Sequence, residues 1–222
     1  MQRVGIIGGG RFGSALALCL VQRGVEVVLL DRDRGIVQRL MSVVSRAVEG
    51  DATEIQTLVE AGFERCDTAV VAIGTDLEGS ILATLNLKEL KIRQVVAKAS
   101  TELHGTVLQR VGADRVIYPD RDMAIRLARS IAAPSILDYI ELSGGASIVE
   151  MKAPEELVGK TLSEAKIRNI YGVHVLALRH KGVDRAEETT IAPSGSDTIS
   201  PGDTLVLFGP DERIRTMSQN FA

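Results

Sequence analysis

The sequence predicts an α/β chain, a doubly wound parallel sheet followed by a small mixed α+β domain. Two observations lead there. In the first half, short and continuously apolar runs alternate with helical segments of about ten or more residues, the pattern of a parallel sheet covered on both faces. Beyond Pro134 the pattern changes to apolar strands separated by glycine and proline turns, with only short helical pieces between them. The expected domains are therefore 1–134 and 135–222. A chain of 222 residues is long enough for one medium core and a smaller second one.

Each element follows from its residues. Val4 to Ile7 reads as a short buried strand, Phe12 to Val21 as a helix that ends by Gly24, and Val25 to Leu30 as a second buried strand. A short strand near Ala47 and Val48, a helix Thr53 to Ala61, a strand Thr68 to Ile73 and a helix Leu77 to Leu90 continue the alternation. Strand Gln94 to Lys98, helix Glu102 to Val111 and strand Arg115 to Tyr118 close the sheet. An amphipathic helix, Asp122 to Ala132, is stopped at Pro134, because proline lacks the helix donor and disfavours helical geometry in the residue before it. The second domain is read as strands Ile136 to Leu142, Ala146 to Met151, Val173 to Leu178 and Thr204 to Phe208, with a turn at Gly144 and Gly145. Pro193 to Ser196 and Ser200 to Asp203 supply further turns, so the tail is expected to fold.

Composition removes several classes of function. Apolar residues make up 45% and charged residues 25%, as in an ordinary globular protein. No run approaches the roughly 18 uncharged residues of a membrane span, and the start shows no secretory pattern, so a cytoplasmic protein is expected. The net charge of −3, the absence of tryptophan and the few other aromatic residues argue against nucleic acid as a partner. The arginine-rich pieces 31–34 and 121–129 read as solvated helix faces. Cys19 and Cys66 lack metal-ligand spacing and read as reduced core cysteines.

The chemistry concentrates at the carboxyl ends of the strands. Gly8, Gly10 and Gly13 form G-x-G-x-x-G between strand and helix, where glycine permits a tight turn, backbone approach to phosphate and close helix packing. The unpaired amides at the helix start then face the phosphates. Asp31 ends the second strand, where a carboxylate accepts ribose hydroxyls and disfavours a 2′-phosphate. Asp51 sits at the lip of the same crevice and reads equally as a helix cap or as an adenine or ribose contact. Ile73, Gly74 and Thr75 end the fourth strand. Lys98 ends the fifth, and its charge there reads as phosphate neutralisation.

The run Val4 to Leu16, Gly50 to Thr53, Val70 to Gly74, Leu85 to Leu90 and above all Leu108 to Met123, with its Gly-Ala-Asp-Arg-Val-Ile-Tyr-Pro core, resembles the RCK (KTN) family. Ser147 to Glu150, Gly159 to Leu162, Arg168 to Val173 and Pro201 to Leu205 resemble that family's C-terminal subdomain, so the likeness covers essentially the whole chain. The family comprises cytosolic regulatory subunits of Trk and Ktr potassium uptake systems, with the Ktr type the nearer match.

This resemblance implies a nucleotide-sensing gating subunit that binds ATP or ADP, with NAD possible. Its dimers would assemble into an octameric ring under a membrane-embedded Trk or Ktr potassium-translocating subunit, at the inner face of the membrane. It implies that Gly8, Gly10 and Gly13 hold phosphate, Asp31 the ribose, and Asp51 with Ala52 the adenosine, with Phe12 and Arg32 also among the cofactor-binding residues. Arg11 would read the terminal phosphate of a nucleotide in the paired subunit, and Lys98 and His104 would also contact ligand. Asp120 matches an acidic position linked to a divalent cation, Mg or Ca, where the Ktr type often carries Glu. Arg168 matches a position that contacts cyclic di-AMP in a C-terminal dimer. Gly9 replaces a bulkier residue, from which a looser loop is expected. The alternatives are an NAD(H)-binding Trk-type regulator and, from another class, an NAD-dependent oxidoreductase. Against the latter, the only histidines are His104, His174 and His180, the last two in the small second domain and read as structural. A non-enzyme is expected.

Overall fold

The computed structural model describes residues 2–133, 135–142, 144–181 and 187–221. They form two units, Met1–Asp122 and Met123–Ala222. The division falls about a dozen residues before the boundary expected at Pro134, which itself lies outside the described residues.

The first unit alternates strand and helix: β1 (Arg3–Ile7), α1 (Arg11–Val21), β2 (Glu26–Asp31), α2 (Arg34–Leu40), β3 (Arg46–Glu49), α3 (Ile55–Ala61), β4 (Thr68–Val71), α4 (Leu77–Glu89), β5 (Gln94–Lys98), α5 (Glu102–Arg110) and β6 (Arg115–Ile117). All pairings are parallel, in the order β3-β2-β1-β4-β5-β6. Alternate residues of each strand serve opposite faces. Ile7, Val28, Leu30 and Val71 join Leu58, Phe63, Leu87 and Leu108 in one core, while Ile6, Val27, Leu29 and Val70 join Ala17, Leu40 and Val44 in the other. Both faces are therefore covered, and the continuous apolar runs of the strands are the requirement for that covering. The order reverses direction at β1, whose neighbours are β2 and β4, so the carboxyl ends of these strands open a crevice between diverging connections.

Helix α2 was not foreseen. Its start, Asp33-Arg34-Gly35, has the composition of a turn, yet Asp33 caps it by accepting from Gly35 N at 2.7 Å and Ile36 N at 3.2 Å. Val37 and Leu40 are then buried in the core. Cys66 is buried as expected, its thiol pushed up to about 11 mainly by desolvation. Cys19 is exposed, because it lies on the outward side of α1 while Gly13 and Ala17 turn inward.

Helix α6 runs over Pro119–Ala132, beginning three residues before the expected Asp122 because proline is well suited to a first helical turn. The second unit continues with β7 (Ile136–Leu142), β8 (Ala146–Lys152), α7 (Leu162–Ala165), α8 (Ile167–Tyr171), β9 (His174–Lys181), β10 (Glu187–Ile191), β11 (Thr204–Pro210) and α9 (Asp211–Asn220). Among the described residues its strands pair antiparallel in the order β10-β9-β11-β8-β7. One face packs Val149, Met151, Leu178, Leu205 and Leu207 against Leu157, Ile167, Ile214 and Met217. Strands β8 and β11 alternate buried and half-buried residues, the signature of a sheet with one covered face.

Candidate functional site

A crevice of about 250 Å³ opens at the carboxyl ends of β1, β2 and β4, lined by Gly8, Gly10, Asp31, Arg32, Ala52, Ile73, Gly74 and Asp76 among others. The loop before α1 is built for close approach. Gly8 has φ +94°, a backbone that side chains rarely adopt, and a Cβ on it would press on the Ala72 backbone at 3.2 Å. A Cβ on Gly13 would run into the Gly8 carbonyl oxygen. Gly10 has nothing within 4 Å of where a side chain would begin, and it precedes α1 without any side-chain cap. No side chain therefore caps the first amides of α1, and such unpartnered amides are what an anion uses at a helix start.

The loop is taut, contrary to the expectation from Gly9. Gly9 N donates to Asp31 Oδ2 at 2.5 Å, and its carbonyl accepts from Ser14 Oγ at 2.5 Å. A Cβ at Gly9 would approach Ile36 Cγ2 to 2.5 Å, so α2 packs where a bulkier residue would stand. Asp31 also accepts from Asp33 N through Oδ1 at 2.8 Å. The carboxylate therefore braces the glycine loop and the entry to α2 while Asp31 lines the crevice.

Asp51 is neither a helix cap nor free. Helix α3 starts after Glu54, and Asp51 Oδ1 instead closes a turn by accepting from Thr53 N at 2.8 Å and Thr53 Oγ1 at 2.7 Å. Arg32 Nη2 lies 2.9 Å from the same oxygen, and Nη1 lies 3.0 Å from Asp76 Oδ2. Burial raises the Asp51 pKa, but the Thr53 bonds and the Arg32 guanidinium outweigh it and hold the carboxyl below its usual range. The hydrogen bond from Arg32 to Asp51 in turn raises the arginine.

The other expected residues divide. Lys98 is largely covered, with Nζ 5.8 Å from the centroid of the Phe12 ring and close beside Gly74, so it stands next to the glycine loop. Thr75 is exposed at the end of the fourth strand's loop. Arg11 is exposed at the first position of α1 and is not part of the crevice lining. His104 lies outside the crevice. It is buried between α4 and α5, with Nε2 2.8 Å from Ser80 Oγ and Nδ1 3.3 Å from Ser100 Oγ, and desolvation lowers its pKa. That is a satisfied core histidine. Asp120 is exposed and faces Lys98 at 3.4 Å. A divalent cation of the Mg or Ca class takes about six or more oxygen ligands, and among the described residues no group of three or more His, Cys, Asp or Glu could hold a metal. Within one copy Asp120 thus has an ammonium, and no cluster of further acidic ligands, beside it.

In the second unit, Arg168 lies with Lys166, Asn169 and His174 around a separate pocket of about 470 Å³. His180 is paired through Nδ1 with the buried Asp203 at 2.9 Å. Among the described residues the crevice is lined by no histidine, cysteine or lysine; its charged side chains are Asp31, Arg32 and Asp76. Sequence reasoning missed Asp76 as a partner of Arg32, since the two are 44 positions apart and only the fold joins them.

Comparisons with known proteins agree with this architecture. The TrkA-N domain model matches residues 4–119 and the TrkA-C domain model residues 147–222. The chain is 38% identical over 204 residues to the Ktr system potassium uptake protein C of Bacillus subtilis (strain 168), covering 92% of this chain and 90% of that protein. Among solved structures, the GsuK channel bound to NAD is similar with a TM-score of 0.52 and 28% identity, over 100% of this chain and 38% of that one. GsuK bound to ADP is similar with a TM-score of 0.50 and 32% identity, over 59% and 34%. The chain thus spans well under half the length of those channel chains. No helix of the described residues is long and apolar enough to cross a membrane.

Proposed function

We propose that this chain, which belongs to the family built from TrkA-N and TrkA-C domains, is the adenine-nucleotide-sensing regulatory subunit of a Ktr- or Trk-type potassium uptake system. The observation that carries this reading is the crevice at the switch point of the parallel sheet, with a helix start at Gly10 that no side chain caps and a braced carboxylate at Asp31. In this reading Gly8, Gly10 and Gly13 give the phosphates their backbone approach, with Phe12 in the same loop. Asp31 and Arg32 hold the ribose end, Ala52 and Asp51 the adenosine, and Ile73, Gly74 and Thr75 the opposite wall. Lys98 adds positive charge beside the loop. ATP and ADP are the proposed ligands, and NAD fits the same elements; the relatives bound to NAD and to ADP support both.

The chain acts on a membrane-embedded potassium-translocating partner from the cytoplasmic side, and it does so without catalysis. A nucleotide shifts a gate only if it binds two conformations unequally. In this reading Arg11, which is exposed and does not line its own crevice, reads the terminal phosphate held by a second copy, so that ATP and ADP favour different dimer geometries. Dimers closing into an eight-membered ring complete this reading. Exposed Met123, Ile125, Leu127 and Ile131 on α6 offer one apolar contact for it. Calorimetry on the full chain tests the sensor: ATP and ADP are expected to bind, and Arg11→Ala to weaken ATP more than ADP. Binding of NADH alone, unchanged by Arg11→Ala, overturns the ATP/ADP version, and a strictly monomeric mass with and without ATP overturns the assembly.

The pocket around Arg168 supports a second reading for residues 135–222, a dimerisation module that takes cyclic di-AMP. Arg168 and Lys166 supply cations for its phosphates, and a two-fold ligand suits a two-fold interface. Arg168→Ala is expected to lower cyclic di-AMP affinity and leave ATP unchanged. Full-length protein that ignores cyclic di-AMP overturns the ligand.

A further inference from the structure

At the rim of the crevice the Arg32 guanidinium is engaged twice, by Asp76 through Nη1 and by Asp51 through Nη2. Both carboxylates are fixed by their own surroundings. Asp51 closes the Thr53 turn, and Asp76 caps α4 by accepting from Gly79 N at 2.8 Å. The bridge therefore ties the end of β2 to the loop after β3 and to the start of α4, over a lining that includes Gly8, Gly10 and Asp31. Together with Asp31 it gathers one positive and three negative side chains at this rim.

In parallel sheets of this type a carboxylate at the end of the second strand takes the ribose hydroxyls, and a nearby arginine accommodates a 2′-phosphate. This chain has both, side by side in Asp31 and Arg32. An arginine grips a phosphate with two parallel N–H donors, and here those two nitrogens are already committed to different carboxylates. Asp31 opposes a 2′-phosphate with its own charge, its two oxygens each holding a backbone amide. Asp51 and Asp76 add two further carboxylates beside it, and both are held on the Arg32 guanidinium.

Resting on the adenine-nucleotide reading above, we propose that the Arg32–Asp51–Asp76 bridge is the specificity element of the crevice: it occupies the guanidinium, so that the site takes adenine nucleotides with a free 2′-hydroxyl and rejects those phosphorylated there. Asp76, which follows Thr75 at the end of the fourth strand, becomes a specificity-determining residue.

The test compares 5′-AMP with adenosine 2′,5′-bisphosphate by calorimetry on the full chain. The variants are Asp76→Asn, the pair Asp51→Asn with Asp76→Asn, and that pair with Arg32→Gln. Asparagine keeps an acceptor oxygen for the Thr53 and Gly79 amides, so the local turns survive while the charge is lost. Wild-type protein is expected to prefer 5′-AMP by about tenfold or more, and the pair to narrow that ratio by about tenfold as the guanidinium is released to the 2′-phosphate. Asp76→Asn alone is expected to fall between, and Arg32→Gln to restore the preference. An unchanged ratio in the pair, with 5′-AMP still bound, overturns the bridge and leaves the nucleotide reading standing. If the pair binds neither ligand, an unchanged ratio in Asp76→Asn decides against the bridge. Wild-type protein that binds no adenine nucleotide overturns both.

Discussion

The two units each have a sheet with apolar surface to hide, and they hide it by opposite connectivity. In the first, every crossover between parallel strands carries a helix or loop over one face or the other, so strands such as β2 are buried on both sides from Val27 to Leu30. In the second, antiparallel pairing leaves helices on one face, and Leu137, Ile140 and Leu142 of edge strand β7 stay exposed. The difference decides where a ligand is held. A parallel sheet turns all its strand ends to one edge, where glycine amides and carboxylates converge without help from another copy. An antiparallel sheet has no such edge, and an unfinished apolar strand favours completion by a partner.

The largest effect that sharpens this contrast is expected from Phe63→Ala. The ring is fully buried in the larger core of the first unit, so its loss should cost about 3–5 kcal/mol, read as a lower midpoint in urea unfolding. Next comes Asp31→Ala. It removes the brace on Gly9 as well as the proposed ribose acceptor, and about 2 kcal/mol, roughly thirtyfold in ADP affinity, is expected by calorimetry. A comparable loss of ADP binding for a substitution in β7 would break the contrast, since it would show the second unit shaping the first crevice.

A smaller effect concerns His104. Burial lowers its folded pKa, so between that value and its ordinary value near 6.5 the unfolded chain binds the extra proton. Stability is therefore level above about pH 6.5 and declines as pH falls towards the folded pKa. His104→Asn should flatten that part of a pH series of thermal midpoints. The smallest effect on stability is expected from Ile140→Ser, within about 0.5 kcal/mol because the residue is already exposed. Its signal should appear in mass by light scattering, as a shift towards smaller species; an unchanged mass would mean that β7 is not a contact between copies.

Much of this architecture is legible in the residues. Strand β5 and strand β7 coincide with their apolar runs, and Gly8, Gly10 and Asp31 meet as the motif requires. What escaped has physical reasons. Helix α2 opens on Arg34 and Gly35, so only Ile36, Val37 and Leu40 carry its periodicity, and edge strand β10 reads Glu-Glu-Thr-Thr-Ile with no apolar alternation. Helix α9 was also missed, its inward stripe reduced to Ile214 and Met217 among charged neighbours. The Arg32 bridge depends on packing three distant segments together, and Cys19 depends on which side of α1 faces the sheet. His104 shows the reverse: a residue type suited to ligand contact is taken up by Ser80 and Ser100.

The turn at Gly144 and Gly145, both in the left-handed region with φ +91° and +74°, joins neighbours in sequence that are also neighbours in the sheet. Strands β7 and β8 can therefore meet after closing a loop of a few residues, on the order of microseconds. No pair in the first sheet has that shortcut, since β1 must wait for β4, some sixty residues further along, before it is flanked on both sides. The hairpin is thus expected to form faster than any strand pair of the first sheet, although it comes later in the sequence.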